Sequence, residues 1–355
     1  LVMPTSVSSG MLLVGLCALA ALGVVGPMLE QVPTQLLPLA DRRVVLTGHR
    51  TSLAPRLAAK LAERGARPLV MPTVTFEPCA EAAFGPLDGA LLRLTDYDAV
   101  CLPFPDAVRA LRDRTAAMLG FDSRACAAVL GRVRLAAIGS TASLVKELLG
   151  VPASVVPPDP SLSGLANALE GLNLARRGAR VLCVLPVYVG MAEPPAVSRF
   201  VAQLEATGAE VTRVAACIAK PTSFASAAPE LGLLRAGDVD ALVLTSGSEV
   251  EGLWRLLRAD AQALDQRARN GAGEAAAAMA EISTPDRPAA VDWPALLPSS
   301  GLVIAVCGAD AAASAEAWGL PTAVVSPLGL LDEVVDRLEG AVLSKQLLSS
   351  GGLLL

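Results

Sequence analysis

The feature that most constrains the fold is a repeated order of strand-like and helix-like segments. The chain reads RRVVLTGHR, SLAPRLAAKLAERG and ARPLVMPTVTF from residue 42, and ARVLCVLPVYVG, PPAVSRFVAQLEATG and AEVTRVAACIA from residue 179. Each copy has a β-branched run, an amphipathic helix and a second run, and Gly65 or Gly208 follows the helix. The pattern predicts two copies of a strand–helix–strand unit.

Two further units repeat in the same way. DYDAVCLPFPDAVRALRDR matches VDALVLTSGSEVEGLWRLL, and RLAAIGSTASLVKELLG matches LVIAVCGADAAASAEAWGLP. Strands that alternate with helices of this length predict parallel sheets covered by helices on both faces. Because the repeat is far longer than a solenoid unit, it favours two similar α/β domains.

Composition excludes several functional classes. With 53% hydrophobic residues the chain can bury two cores, and the net charge of -5 without a long basic run argues against nucleic-acid binding. The single histidine, His49, excludes a multi-histidine metal site. The seven cysteines contain no CxxC pair, so we interpret them as small buried hydrophobic residues in a reducing compartment. From these counts we expect no metal site.

The N-terminal segment has a composition of its own. Residues 11–29 read MLLVGLCALAALGVVGPML without a charge, which at about 1.5 Å per residue approaches the roughly 30 Å of a bilayer core. We expect a retained membrane helix within an N-terminal segment 1–40. A signal peptide or targeting sequence, which is normally removed, is the alternative.

A second segment lies outside the repeat. Residues 259–300 are rich in Ala, Gly and Pro and have no counterpart in the other copy. We expect a long surface excursion here, with a short Ala-rich helix.

The order of these units resembles the uroporphyrinogen-III synthase family over roughly residues 42–340. The matching pieces are LTGHR, GARPLVMPTVTFEP, DYDAV, AIGSTASLVKELLG, GARVLCVLP, LEATGAEV, LVLTSGSEV and AVCGADAAASAEAWGLP. The resemblance implies two flavodoxin-like parallel-sheet domains joined by a two-stranded linker. One domain would comprise residues 42–74 plus 219–345, and the other residues 79–216.

The resemblance also implies a reaction and a place for it. Members of the family close the linear tetrapyrrole hydroxymethylbilane into a macrocycle and invert its last pyrrole ring. The substrate lies between the domains at the strand ends, where open α/β sheets generally bind ligands. Its many carboxylates suit helix N-termini and the N–H groups of strand-to-helix turns.

Five residues are the substrate-binding candidates. Thr245, Ser246 and Ser248 in LTSGSEV keep the family's hydroxyl-rich turn, although Ser248 and Glu251 also form an S-x-x-E pattern that would cap a helix without any ligand. Thr141 keeps a hydroxyl in the turn IGSTASL, and Arg50 ends a strand in LTGHR. Arg43 and Lys220 are weaker candidates near the linker.

Other turns depart from the family pattern. In LPFPDAV, Pro103 and Pro105 remove two N–H donors, Phe104 replaces a hydroxyl, and Asp106 adds a negative charge. Asp310 stands where the family has a threonine, and we expect it to cap the following helix.

The catalytic position is altered as well. The resemblance places Cys217 where the family has a tyrosine that would assist loss of the substrate hydroxyl. A thiol can act as an acid, but a small buried cysteine is the commoner role. Tyr188 lies in a different turn and is a weak substitute. No catalytic residue is assigned.

Two functional hypotheses follow. The first is a catalytically degenerate relative, anchored by residues 11–29 as an accessory subunit of an organellar membrane complex, with a plastid thylakoid as the expected location. The second is an active synthase, a lyase that needs no cofactor. If the chain is active, a tetrapyrrole would be its substrate.

Overall fold

The computed structural model describes residues 37–49, 53–120, 122–270, 291–297, 301–326 and 330–349. The predicted membrane helix at 11–29 and the candidate Arg50 lie outside these ranges. Within them, no helix is long and apolar enough to cross a membrane.

Ten β-strands form two five-stranded sheets in the described part of the chain. The first sheet has the order β10-β9-β8-β1-β2 and is entirely parallel; the second has the order β3-β7-β6-β4-β5 and is parallel except for β3. The strands are β1 Arg43–Leu46, β2 Arg67–Val70, β3 Val74–Pro78, β4 Ala99–Leu102, β5 Arg134–Ala137, β6 Arg180–Tyr188, β7 Glu210–Pro221, β8 Ala241–Leu244, β9 Val303–Cys307 and β10 Val324–Ser326.

Helices alternate with these strands, as the repeat predicts. They are α1 Ala54–Glu63, α2 Gly85–Leu91, α3 Pro105–Met118, α4 Ser123–Leu130, α5 Ser140–Leu149, α6 Leu162–Gly171, α7 Pro195–Ala206, α8 Phe224–Ala236, α9 Gly247–Asn270, α10 Trp293–Leu296, α11 Ala309–Ala317 and α12 Leu331–Ser349. The predicted α/β class with parallel sheets is confirmed.

The two sheets follow one topological plan. From one edge, the first sheet runs β2, β1, β8, β9, β10. Apart from the antiparallel edge strand β3, the second runs β7, β6, β4, β5 and then a single parallel bridge from Ala136 to Val155. Corresponding strands come from the matched units of the sequence, so the duplicated segments occupy equivalent places in the two sheets.

Apolar strands explain why both faces of each sheet are covered. All four residues of β4 and of β8 are buried, as are all five of β9, a pattern typical of parallel strands between two helical layers. Two apolar clusters sandwich each sheet.

Two antiparallel strands carry the chain from one sheet to the other. β3 leaves the first sheet after β2 and pairs with the end of β7, from Val74 opposite Pro221 to Pro78 opposite Cys217. The hydroxyls of Thr75 and Thr222 lie 2.9 Å apart across this pair.

The predicted surface excursion at 259–300 is wrong at its described ends. Residues up to Asn270 continue α9, where Ala259 and Ala263 are buried. At the other end, Trp293 is 1% exposed and its indole N–H donates to the Trp318 carbonyl at 2.8 Å. The apolar spacing of VEGLWRLLRADAQA continues past residue 259, so the helix continues too. Residues 271–290 lie outside the described ranges.

Candidate functional site

The C-terminal edges of the two sheets face each other. His49, after β1, stacks on Phe76 of β3 with ring centroids 4.5 Å apart. After β9, the Asp310 carboxylate accepts the N–H of Leu162, the first residue of α6, at 3.4 Å. Open α/β sheets bind ligands at the C-terminal ends of their strands, so we take the region between these two edges as the candidate site and call it the cleft.

A buried carboxylate occupies the hydroxyl-rich turn of this cleft. Glu249, in the first turn of α9, is only 3% exposed. Its Oε2 accepts the Thr245 N–H at 2.6 Å and lies 2.5 Å from the Thr47 hydroxyl. Its Oε1 accepts the hydroxyls of Thr245 at 2.8 Å and Ser246 at 3.0 Å. Because a hydroxyl has one proton to donate, the Thr245 hydroxyl is engaged by Glu249. The hydroxyls of Thr47 and Ser246 also have the Val243 carbonyl and the Ser248 hydroxyl, respectively, within reach.

The expected cap between Ser248 and Glu251 is wrong. α9 begins at Gly247, so Ser248 is already inside the helix, and its hydroxyl lies 3.2 Å from that of Ser246. The pair with the capping-box spacing is Ser246 and Glu249. Glu251 instead accepts the N–H of Ala192 and pairs with Arg255.

The turn after β4 has few groups that could bind an anion. Pro105 begins α3, and no side chain caps this helix. Phe104 is half-buried against the apolar cluster beneath α6 and α7. Asp106 pairs with Arg109 at 3.5 Å, so the nearest cation already has an acidic partner.

The prediction that Asp310 caps the helix that follows it is wrong. The residue before α11 is Gly308 at φ 97°, and no side chain caps this helix. Asp310 reaches across the cleft instead of capping its own helix, and burial raises the pKa of its carboxyl. In the matching turn, Thr141 is buried in the first turn of α5.

Cys217 is placed as an inert thiol. It is 4% exposed within the apolar cluster beside β7, and burial raises its pKa far above the ordinary thiol value. Burial likewise raises the pKa of Tyr188. A group with a raised pKa is a weaker acid, so neither is tuned for proton donation near neutral pH.

The two weaker basic candidates have acidic partners. Arg43 lies at the start of β1, away from the C-terminal edge, and pairs with Asp238 at 3.5 Å. Lys220 pairs with Glu77 across the linker at 2.7 Å. The described residues contain no group of three side chains that could hold a metal ion.

His49 is a cleft residue that sequence reasoning missed. Burial lowers the pKa of its imidazole; the charges of Asp106 and Glu249 oppose this shift, and Arg109 adds to it. Its place in LTGHR, directly after a buried strand, was the available signal. The residues around His49 come from both sheets and from the linker: Glu249, Asp106 and Phe76.

Comparison with known proteins identifies the family. The family described as "HEM4: Uroporphyrinogen-III synthase HemD" matches residues 55–283. The chain therefore belongs to the uroporphyrinogen-III synthase family. No curated protein matches it.

One solved structure shows the same fold, and a second is comparable to it in sequence identity and coverage only. A mutant uroporphyrinogen III synthase from the extremely thermophilic bacterium Thermus thermophilus is similar with a TM-score of 0.51 and 19% identity, over 85% of this chain and 99% of that one. The wild-type enzyme from the same organism gives a TM-score of 0.38 at 19% identity, over 86% and 99% of the two chains.

Replacing Glu249 tests its role in the turn. We expect Glu249→Ala to lower the free energy of unfolding by about 3 kcal/mol, because buried donors lose a charged acceptor. Urea unfolding of this variant and of Glu316→Ala, which removes an exposed carboxylate from α11, measures the difference. Equal, small losses in both variants would contradict a structural role for Glu249.

The single histidine makes pH dependence measurable. Since the folded state lowers the pKa of His49, the unfolded chain takes up the proton first, at about pH 6.5. The stability contribution of neutral His49 is present above that pH and is lost as pH falls through the folded-state pKa. An NMR titration of the one imidazole should give a midpoint below 6.5, and His49→Gln should flatten the corresponding pH dependence of unfolding. A midpoint at or above 6.5 would refute this.

Proposed function

We propose that this chain is a uroporphyrinogen-III synthase-like protein that does not catalyse the synthase reaction. The observation that carries the proposal is the Glu249 carboxylate, which already occupies the donors of Thr245 and Ser246. A carboxylate-rich tetrapyrrole entering this turn would have to displace a buried charge of its own sign.

The finer architecture belongs to the same proposal. We take residues 42–74 plus 219–345 as one flavodoxin-like domain and residues 79–216 as the other, with β3 and the end of β7 as the linker. The strand order supports this: β2-β1-β8-β9-β10 is the flavodoxin order 2-1-3-4-5 when that domain's strands are numbered alone.

The charges around the cleft favour the same conclusion. The charges of Asp106 and Glu249, which come from opposite sheets, both act to raise the pKa of His49, against the larger lowering by burial. The Asp310 carboxylate lies at the N-terminal end of α6. Arg109 is committed to Asp106, and burial favours the neutral form of His49. A polyanion would therefore meet the carboxylates of Asp106, Glu249 and Asp310 at this place. Cys217, with its raised pKa, is a poor acid for expelling a hydroxyl.

An active synthase is the second candidate. Family membership favours it, and main-chain contacts to the substrate need few particular side chains. Thr141, Ser248 and Arg50 then remain substrate-binding candidates. This enzyme would cyclise hydroxymethylbilane with ring inversion and without a cofactor.

A coupled assay separates the two functions. The full chain is incubated with freshly generated hydroxymethylbilane, and the type I and type III porphyrin isomers are separated after oxidation. We expect only the type I product of spontaneous closure, while an authentic synthase in parallel gives type III. Type III product above background would establish the enzyme and overturn the proposal.

We further propose that residues 11–29 attach the chain to an organellar membrane, a plastid thylakoid by analogy with tetrapyrrole metabolism, as an accessory subunit of a complex. The support is the uncharged length of that stretch. The full chain should float with liposomes after carbonate washing, and a chain beginning at Leu37 should stay in the soluble fraction. Equal partition of the two chains would contradict membrane attachment through residues 11–29.

A further inference from the structure

A second carboxylate of α9 joins the two sheets across the cleft. Glu251 is 5% exposed, and both of its carboxylate oxygens lie 3.2 Å from the N–H of Ala192. α9 covers the first sheet, whereas Ala192 lies in the loop between β6 and α7 of the second. This hydrogen bond therefore connects the two sheets outside the linker, as the longer contact between Asp310 and Leu162 also does.

The carboxylate is fixed on its own helix. Arg255, one turn further along α9, donates to Glu251 Oε1 from Nε at 2.9 Å and from Nη2 at 2.6 Å. The guanidinium lies 5.7 Å from the ring centroid of Trp254, which is buried in the core. The spacing of four residues suits such a pair, and the contact offsets the cost of burying the negative charge.

The loop that carries the donor, the N–H of Ala192, is held in place by its own contacts. Met191 is buried against Val74 and Ala219 of the linker strands. Glu193 pairs with Arg213 of β7 and accepts the Ser198 hydroxyl of α7 at 2.6 Å. The loop around Ala192 thus moves with the second sheet.

The contact lies beside the linker. A Cβ at Gly252, the residue after Glu251, would stand 2.4 Å from the carbonyl oxygen of Thr73, so α9 touches the start of the linker without a gap. The same carbonyl accepts the N–H of Thr222, on the returning strand, at 3.1 Å. A hydrogen bond at this place opposes rotation about β3 and β7.

We propose that Glu251 is a clasp that holds the cleft closed, and that its release lets the two sheets separate about the linker. The hydrogen bond from the Leu162 N–H to Asp310 also joins the two edges, at the longer distance of 3.4 Å. In this proposal it forms only while Glu251 holds the sheets together. The clasp is a property of the fold and stands whether or not the cleft is catalytic.

Amide hydrogen exchange of the full chain tests the clasp. In Glu251→Ala, exchange at Ala192 should rise about tenfold to a hundredfold, the ratio that corresponds to a lost hydrogen bond to a charged group. Exchange at Leu162, which Glu251 does not touch, should rise as well, because the partner of its N–H lies on the other sheet.

Two further variants complete the test. The double variant Glu251→Leu with Arg255→Met removes both charges and therefore leaves no unpaired buried arginine. Amide exchange at Ala192 and at Leu162 should rise in this variant as it does in Glu251→Ala. Glu316→Ala removes an exposed carboxylate from α11 and should leave both amides unchanged. Faster exchange at Ala192 alone, with Leu162 as in the unaltered protein, would show a local contact and overturn the clasp.

Discussion

The turns of a parallel sheet leave main-chain N–H groups without partners, and in this chain its own carboxylates accept them. Glu249 accepts the N–H of Thr245, Glu251 that of Ala192, and Asp310 that of Leu162. A buried N–H group without a partner is costly, so each of these contacts stabilises the edge at which it lies. In ligand-binding α/β proteins the same donors are free to bind an anion. Here the carboxylates that accept these N–H groups belong to the chain itself, and the proposal of a non-catalytic protein rests on that arrangement.

Family membership rests on the fold, which tolerates more sequence change than a polar site does. The family is identified over residues 55–283, and the fold is shared with a solved synthase at 19% identity. Apolar strands and helix faces maintain such a fold through many substitutions. A polar site is less tolerant, because a single carboxylate such as Glu249 engages several donors around it.

The sequence predicted the sheets well because their determinants are local. The duplicated units gave the alternation of strands and helices, and the apolar runs around Ala99 and Ala241 became fully buried central strands. Helix termini were harder to predict. The S-x-x-E pattern fitted both Ser248–Glu251 and Ser246–Glu249, and only the starting residue of α9 decides between them. The continuation of α9 past Ala259 was missed because the Ala/Gly-rich composition outweighed its apolar spacing.

Contacts across the cleft could not be predicted from spacing at all. Asp310 was expected to cap its own helix, but its partner Leu162 is 148 residues away in the chain. The role of His49 depends likewise on Phe76, Asp106 and Glu249, which come from three separate segments.

Equilibrium binding of a carboxylate-rich macrocycle tests the central claim most directly. Uroporphyrin III is titrated into the full chain and into Glu249→Ala, with porphyrin fluorescence as the signal, at fixed ionic strength. If internal carboxylates fill the cleft, the unaltered protein shows no saturable binding. Saturable one-to-one binding by the unaltered protein, with the Glu249 contacts intact, would contradict the account.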